Sequence, residues 1–242
     1  MIFLRPANFL VFCHNISKFT KGLFFSMNKF KETFLKILPK FSWLPLFTIV
    51  VLQIIVYGAT KKIALDWPHY VPSLSIDNYI PFIPFFIIPY VACYAHWIAN
   101  FVMSAQTGKN RFNKFTLAVI ISQIVCGIVF LAFPTTIDRP NIDNIPGFNG
   151  FLLHFIYNMD TPVNLFPSMH CLHSWFSWIA VRNCKQFPKW YKVFSLLFGI
   201  VVCISTVTIK QHFFIDIIAG IALAELSWLF VNKVLIIKRE HV

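Results

Sequence analysis

A chain of 242 residues that is 57% hydrophobic and only 12% charged, with 29 Phe, cannot hide its apolar surface in a water-soluble fold, so lipid must solvate much of it. The formal net charge of +12 does not mark a nucleic-acid binder, because the basic residues lie between apolar runs instead of clustering on one soluble face. Six Cys, at 13, 93, 126, 171, 184 and 203, have no paired spacing and suggest neither a disulfide framework nor a zinc site; they read as small buried hydrophobes.

Arg5 and Pro6 interrupt the first apolar stretch and no small-residue cleavage site follows, so the amino terminus is expected to be retained. Apolar residues Phe19, Leu23, Met27, Phe30, Phe34 and Leu38 then recur at helical spacing, with Lys18, Lys21, Lys29, Lys31 and Lys36 between them. That pattern predicts a basic amphipathic segment over 1–40 whose helix, at 16–38, lies in the membrane interface.

A catalytic domain is expected over 41–242. Six runs in it are long enough to cross a hydrocarbon layer of roughly 30 Å: 42–60, 80–105, 115–136, 168–184, 191–209 and 212–236. The fold class is therefore all-α, a polytopic six-transmembrane-helix bundle. Pro81, Pro84 and Pro89 predict a kinked or interfacial start to the second run. The stretch 137–167, rich in Asp, Asn, Pro and Gly, is expected to be a loop outside the lipid.

Lys and Arg are retained on the cytoplasmic side, and with these spans 17 of the 21 fall on one side. Lys61, Lys62, Arg139 and Lys210 fall on the other, with six of the nine acids. Both termini are thus expected in the cytoplasm, and the charge bias fits a bacterial plasma membrane.

Three polar groups interrupt the apolar chain, and an even number of crossings between them puts all three at the outer face. They are Asp138-Arg139-Pro140, Phe166-Pro167-Ser168-Met169-His170, and the run from Ser205 to Asp216 that holds Lys210, Gln211 and His212. His212 and Asp216 are one helical turn apart, so the carboxylate can hold one imidazole nitrogen and leave the other free as a nucleophile. His170 would protonate the departing oxygen. Pro167 and Ser168 stand where a helix begins, a place that favours an anion, while Arg139 offers a fork for phosphate and Lys210 a compact charge. His173, one turn after His170, reads as packing or substrate contact. Glu225, within the last run, needs a partner, for which His96 is a candidate.

These segments, in this order, resemble the type-2 phosphatidic acid phosphatase superfamily, the lipid phosphate phosphatases. That family's pattern is Lys-x6-Arg-Pro, Pro-Ser-Gly-His and Ser-Arg-x5-His-x3-Asp. Arg139-Pro140 matches the end of the first motif, Pro167 to His170 the second, and Ser205, His212 and Asp216 the third. The resemblance implies a six-helix bundle, a phosphohistidine intermediate on His212 and no metal or other cofactor. It makes Asp216 the partner of His212, His170 the acid, and Arg139, Ser168 and Ser205 phosphate contacts. Ala132 and Thr206 stand where the motifs have Lys and Arg, and Met169 where they have Gly, so two cations are missing; Lys210 is a candidate replacement. Lys210-Gln211-His212 and the stretch Asp77 to Tyr90 are similar to the branch that includes inositol phosphorylceramide synthases.

The expected substrate is a lipid phosphate or an isoprenyl diphosphate. Water as acceptor makes the protein a phosphatase; an alcohol such as inositol makes it a phosphotransferase. A non-enzymatic transporter fits less well, since it would place ionisable groups within several spans instead of at one face.

Overall fold

The computed structural model describes residues 32 and 35–240, so the amphipathic helix expected over 16–38 lies almost wholly outside the described residues. Among those, the chain forms seven α-helices: α1 (Lys40–Ala64), α2 (Ile87–Ala105), α3 (Lys109–Ala132), α4 (Gly147–Met159), α5 (Met169–Val181), α6 (Lys189–Thr208) and α7 (Phe214–Glu240). Short 3-10 turns at Ser75–Tyr79 and Pro84–Phe86 lead into α2, and the only extended pairing described is two isolated bridges, Tyr70 with Thr135 and Thr136 with Val163.

Among the described residues, five helices are long and apolar enough to cross a membrane: α1, α2 with its preceding turn, α3, α6 and the Phe214–Val234 part of α7. The chain is accordingly an integral membrane protein. Their outer faces carry large exposed hydrophobics such as Leu44, Phe47, Ile54, Ile98, Ile128 and Leu226, a surface that only lipid can solvate.

One of the six expected spans, the fourth in chain order, is corrected. In place of a helix over 168–184 the structure has α5, only 13 residues, which rises about 20 Å at 1.5 Å per residue. Its side chains are buried almost all round, from Met169, Cys171 and Leu172 to Ile179, Ala180 and Val181. It is the core helix of the bundle, packed against α2, α6 and α7 while α3 bridges α1 and α7. Hydropathy does not separate burial in lipid from burial in protein, which is why the two looked alike in sequence.

The loop expected at 137–167 is also corrected, because it contains α4. Leu153 and Ile156 pack inward with Ile87, Tyr90 and Ile209, while Phe148, Phe151, Phe155 and Met159 form an exposed apolar face. The helix was hidden by Asn and Gly in its first turn. One of these, Gly150, is required: a Cβ there would lie 1.9 Å from the Ile145 carbonyl oxygen.

Candidate active site

The turn between α6 and α7 shapes the site. Lys210 adopts a left-handed backbone, φ 51°, directly after α6. Its N–H donates to Val207 O at 3.3 Å and that of Gln211 to Thr206 O at 2.9 Å, the bond pair of a Schellman C-cap with Lys in the place usually held by Gly. A non-glycine residue is strained there, and three bonds from the segment before α2 hold the turn in place. Ile83 N donates to Thr208 O (2.9 Å), Lys210 Nζ to Ile80 O (2.6 Å), and Phe214 N to Asp77 Oδ1 (2.8 Å). Asp77 is therefore the cap of α7, supplied from 137 residues away.

At the start of α7, His212 Nδ1 meets Asp216 Oδ2 at 3.2 Å, and the same carboxylate oxygen accepts from Phe213 N at 2.9 Å. Asp216 is fully buried and its Oδ1 has no partner. The start of α5 meets α7 directly: Ser168 N donates to Asp216 O at 3.1 Å, and Gly220 sits under Ser168, where a Cβ would come within 2.6 Å of the Ser168 carbonyl oxygen. This close approach brings the His170 ring to 5.9 Å from that of His212, centroid to centroid, at 59°. His170 is held on its other sides by aromatic rings: Tyr90 stacks on it at 4.4 Å, Trp97 lies at 5.5 Å, and the Tyr94 hydroxyl is 3.4 Å from Nε2.

The expected phosphate contacts separate into two sets. Arg139 reaches the cavity wall beside His170, Gln211 and His212. Its fork is partly engaged, because Nη1 donates to Asp160 O at 2.5 Å and Tyr157 O at 3.3 Å, and Nη2 to Gln211 Oε1 at 2.6 Å; Nε has no partner. Burial pushes the Arg139 pKa down, opposed by the nearby Asp160 carboxylate, and the guanidinium keeps its charge.

Ser168, Ser205 and Lys210 do not line the cavity. Ser168 caps α5, its Oγ accepting from Cys171 N at 3.3 Å, and Ser205 Oγ donates to Val202 O within α6. The Lys210 ammonium, carried outward by the left-handed turn, is spent on the Ile80 carbonyl.

The partner expected for Glu225 is corrected. Glu225 is paired with Arg182 and accepts from Trp175 Nε1, while His96 meets Ser195 Oγ at 3.1 Å.

The histidines open onto a cavity of about 690 Å³ that runs between α1 and α2. Arg139, Lys61, Asp160, Gln211 and the histidines stand toward one end; Leu46, Ile49, Phe101 and Val102 lie along the rest. Leu46 to Lys61 on α1 spans about 22 Å at 1.5 Å per residue. The α1–α2 side is a rim of exposed Val50, Ile54 and Ile98, because α1 packs on α3 and barely touches α2. Reading the sequence missed Lys61, whose ammonium lies 3.4 Å from Asp160 Oδ1, the aromatic box of Tyr90, Tyr94 and Trp97, and the cap Asp77. Only the acidity of the outward loop hinted at Asp77; the others reach the site through packing that spacing does not encode.

Fold and site together define an integral membrane protein with a carboxylate-backed histidine pair at the polar end of a lipid-facing cavity. The model of the PAP2 superfamily matches residues 112–239, more than half of the chain, and the chain belongs to that superfamily. Membership implies phosphatase-type chemistry on lipid phosphates. No curated protein and no solved structure matches the chain. The matched residues include the histidines and Arg139 but neither α1 nor α2, the two walls of the opening.

Proposed function

We propose that the protein is a membrane lipid phosphatase that works through a phosphohistidine on His212. The observation that carries this reading is the placing of His170 and His212, 5.9 Å apart, beside Arg139 at one end of a long apolar cavity open toward lipid. A lipid phosphate would enter between α1 and α2 with its chain along Leu46, Ile49 and Phe101 and its phosphate at the histidines.

Asp216 engages Nδ1 of His212, leaving Nε2 as the nucleophile. Nε2 bonds to phosphorus as the ester P–O bond breaks, and His170 gives the leaving oxygen its proton. Neutral His170 then takes a proton from water, whose oxygen attacks phosphorus; the P–N bond breaks and inorganic phosphate leaves. Asp216 offsets the positive charge on the phosphorylated imidazole, and the Nε–H of Arg139, which has no partner, would donate to a phosphoryl oxygen. An alcohol in water's place would make the same site a phosphotransferase. With α5 carrying the chain back through the protein interior, from Ser168 beside Asp216 to Arg182 beside Glu225, the distribution of Lys and Arg supports an outward-facing site with both described ends of the bundle toward the cytoplasm.

The test is phosphate release from a panel of lipid phosphates in detergent, with and without polyols. Free phosphate that is insensitive to polyol is the expected result. A labelled alcohol product replacing phosphate would turn the assignment to a transferase, and no turnover of any lipid phosphate would contradict it.

A further inference from the structure

One level of the cavity wall, a turn below the catalytic histidines, is polar where its surroundings are not. Gln53 from α1, Gln123 from α3 and His173 from α5 meet there, among Leu46, Ile49, Val50, Phe101 and Val102. Gln123 is wholly buried. Its Nε2 donates to Ile49 O at 3.1 Å and Gln53 Oε1 at 3.2 Å, with His173 Nε2 at 3.5 Å. The bond to the Ile49 carbonyl fixes which end of the amide is nitrogen, and Oε1 is then left buried without a partner. Gln53 is also incompletely used: the acceptor for its Nε2 is a thioether, Met169 Sδ, at 3.3 Å. The level therefore carries one idle acceptor and one poorly used donor, which a single hydroxyl, both donor and acceptor, can satisfy.

From these groups we infer that the cavity selects lipid phosphates with a hydroxyl on the carbon next to the phosphate ester, over those whose chain is pure hydrocarbon. This rests on the reading of the histidine site as the phosphate end. His173 follows His170 by three residues, a rise of about 4.5 Å, and bond lengths near 1.5 Å put a vicinal hydroxyl roughly 4–5 Å from phosphorus. The separation of a vicinal hydroxyl from phosphorus thus matches the step along α5 from His170 to His173, whose ring meets Gln123. A prenyl or alkyl phosphate would instead cover Gln123 Oε1 with hydrocarbon and leave it unbonded.

The alternative role for Gln123 is to tie α3 to α1 through Ile49 O, with no effect on which lipid is used. The two are separated by comparing kcat/KM for a 1-acylglycerol 3-phosphate, which has a free 2-hydroxyl, with that for its 2-deoxy analogue of the same chain. The full protein is used, together with Gln123→Leu and, as the half-buried partner less costly to the fold, Gln53→Leu. The wild-type protein is expected to favour the hydroxyl compound about tenfold, or about 1.4 kcal/mol. The preference, read as the ratio of the two kcat/KM values, should fall toward one in either variant. Equal rates for the two lipids in the wild-type protein, or a preference that survives both replacements, would overturn the inference. If neither lipid is dephosphorylated, the proposed reaction fails on its own. The corresponding pair of phosphonates, scored by quenching of Trp97 at the cavity wall, then decides: a tenfold difference in Kd upholds selection, and equal Kd values end it.

Discussion

The two ends of the cavity are built in opposite ways. The turn Thr208–Phe214 is fixed by a helix cap, by Ile83, Lys210 and Asp77 bonds, and by the backbone contact of Ser168 with Asp216. The α1–α2 side has exposed apolar side chains and little contact between its helices. The first arrangement suits chemistry, in which an ångström matters, and the second suits a disordered chain that must enter from the bilayer. The family match falls on the first and omits the second. On the proposed reading the first end carries the reaction, and α1 and α2, outside the matched residues, select the lipid.

Changes at the turn should alter rate whatever the lipid, and changes at the opening should alter lipid choice whatever the rate. Apart from loss of His212 itself, the largest effect on rate is expected for His170→Ala, which removes the ring facing the turn. It should slow lipid phosphates, which are poor leaving groups, by roughly 10²- to 10⁴-fold, the usual worth of general acid catalysis. A nitrophenyl phosphate, which leaves without a proton, should lose far less in its release step, and an equal loss for both would remove the acid role.

Next in size is Asp77→Ala, which strips the cap from Phe214 N. A lost cap costs about 1 kcal/mol of stability, and a displaced turn should lower kcat about tenfold with KM little changed. Thermal unfolding in detergent and steady-state kinetics check the two together; a change in KM alone would show that Asp77 contacts substrate instead. The smallest effect is expected for Ile54→Trp on the exposed rim. It should raise KM for long-chain lipid phosphates by about fourfold, the worth of losing one buried methylene, and leave a short-chain phosphate unaffected. An equal rise for both chain lengths would place the entry elsewhere.

How much of this was written in the sequence differs by region for the same reason. His212 and Asp216 were paired correctly by their spacing, but not for the expected reason: α7 begins only at Phe214, and Asp216 in its first turn folds back to bond Phe213 N and His212 Nδ1 instead of sharing a helix face with His212. The start of α5 at Ser168 was likewise readable from Pro167-Ser168. Lys210 was not, because a cation two residues before His212 says nothing of the left-handed backbone that turns it toward Ile80. Ala132 and Thr206 revealed the missing cations, but Lys61 comes from α1 and Asp77 from 137 residues before Phe214, so only tertiary packing brings them near. Apolar runs located every spanning helix, yet the same signal made a span of α5, whose 13 residues are covered by protein instead of lipid.

The account turns on a covalent bond between His212 and phosphorus. Rapid quenching at alkaline pH during turnover of a lipid phosphate, followed by peptide mass spectrometry, looks for it directly. The expected result is a phosphorylated peptide with the modification on His212, absent in His212→Ala, which should also lose at least about 10³-fold in turnover. A fully active His212→Ala protein, or phosphate found on another residue during turnover, would contradict it.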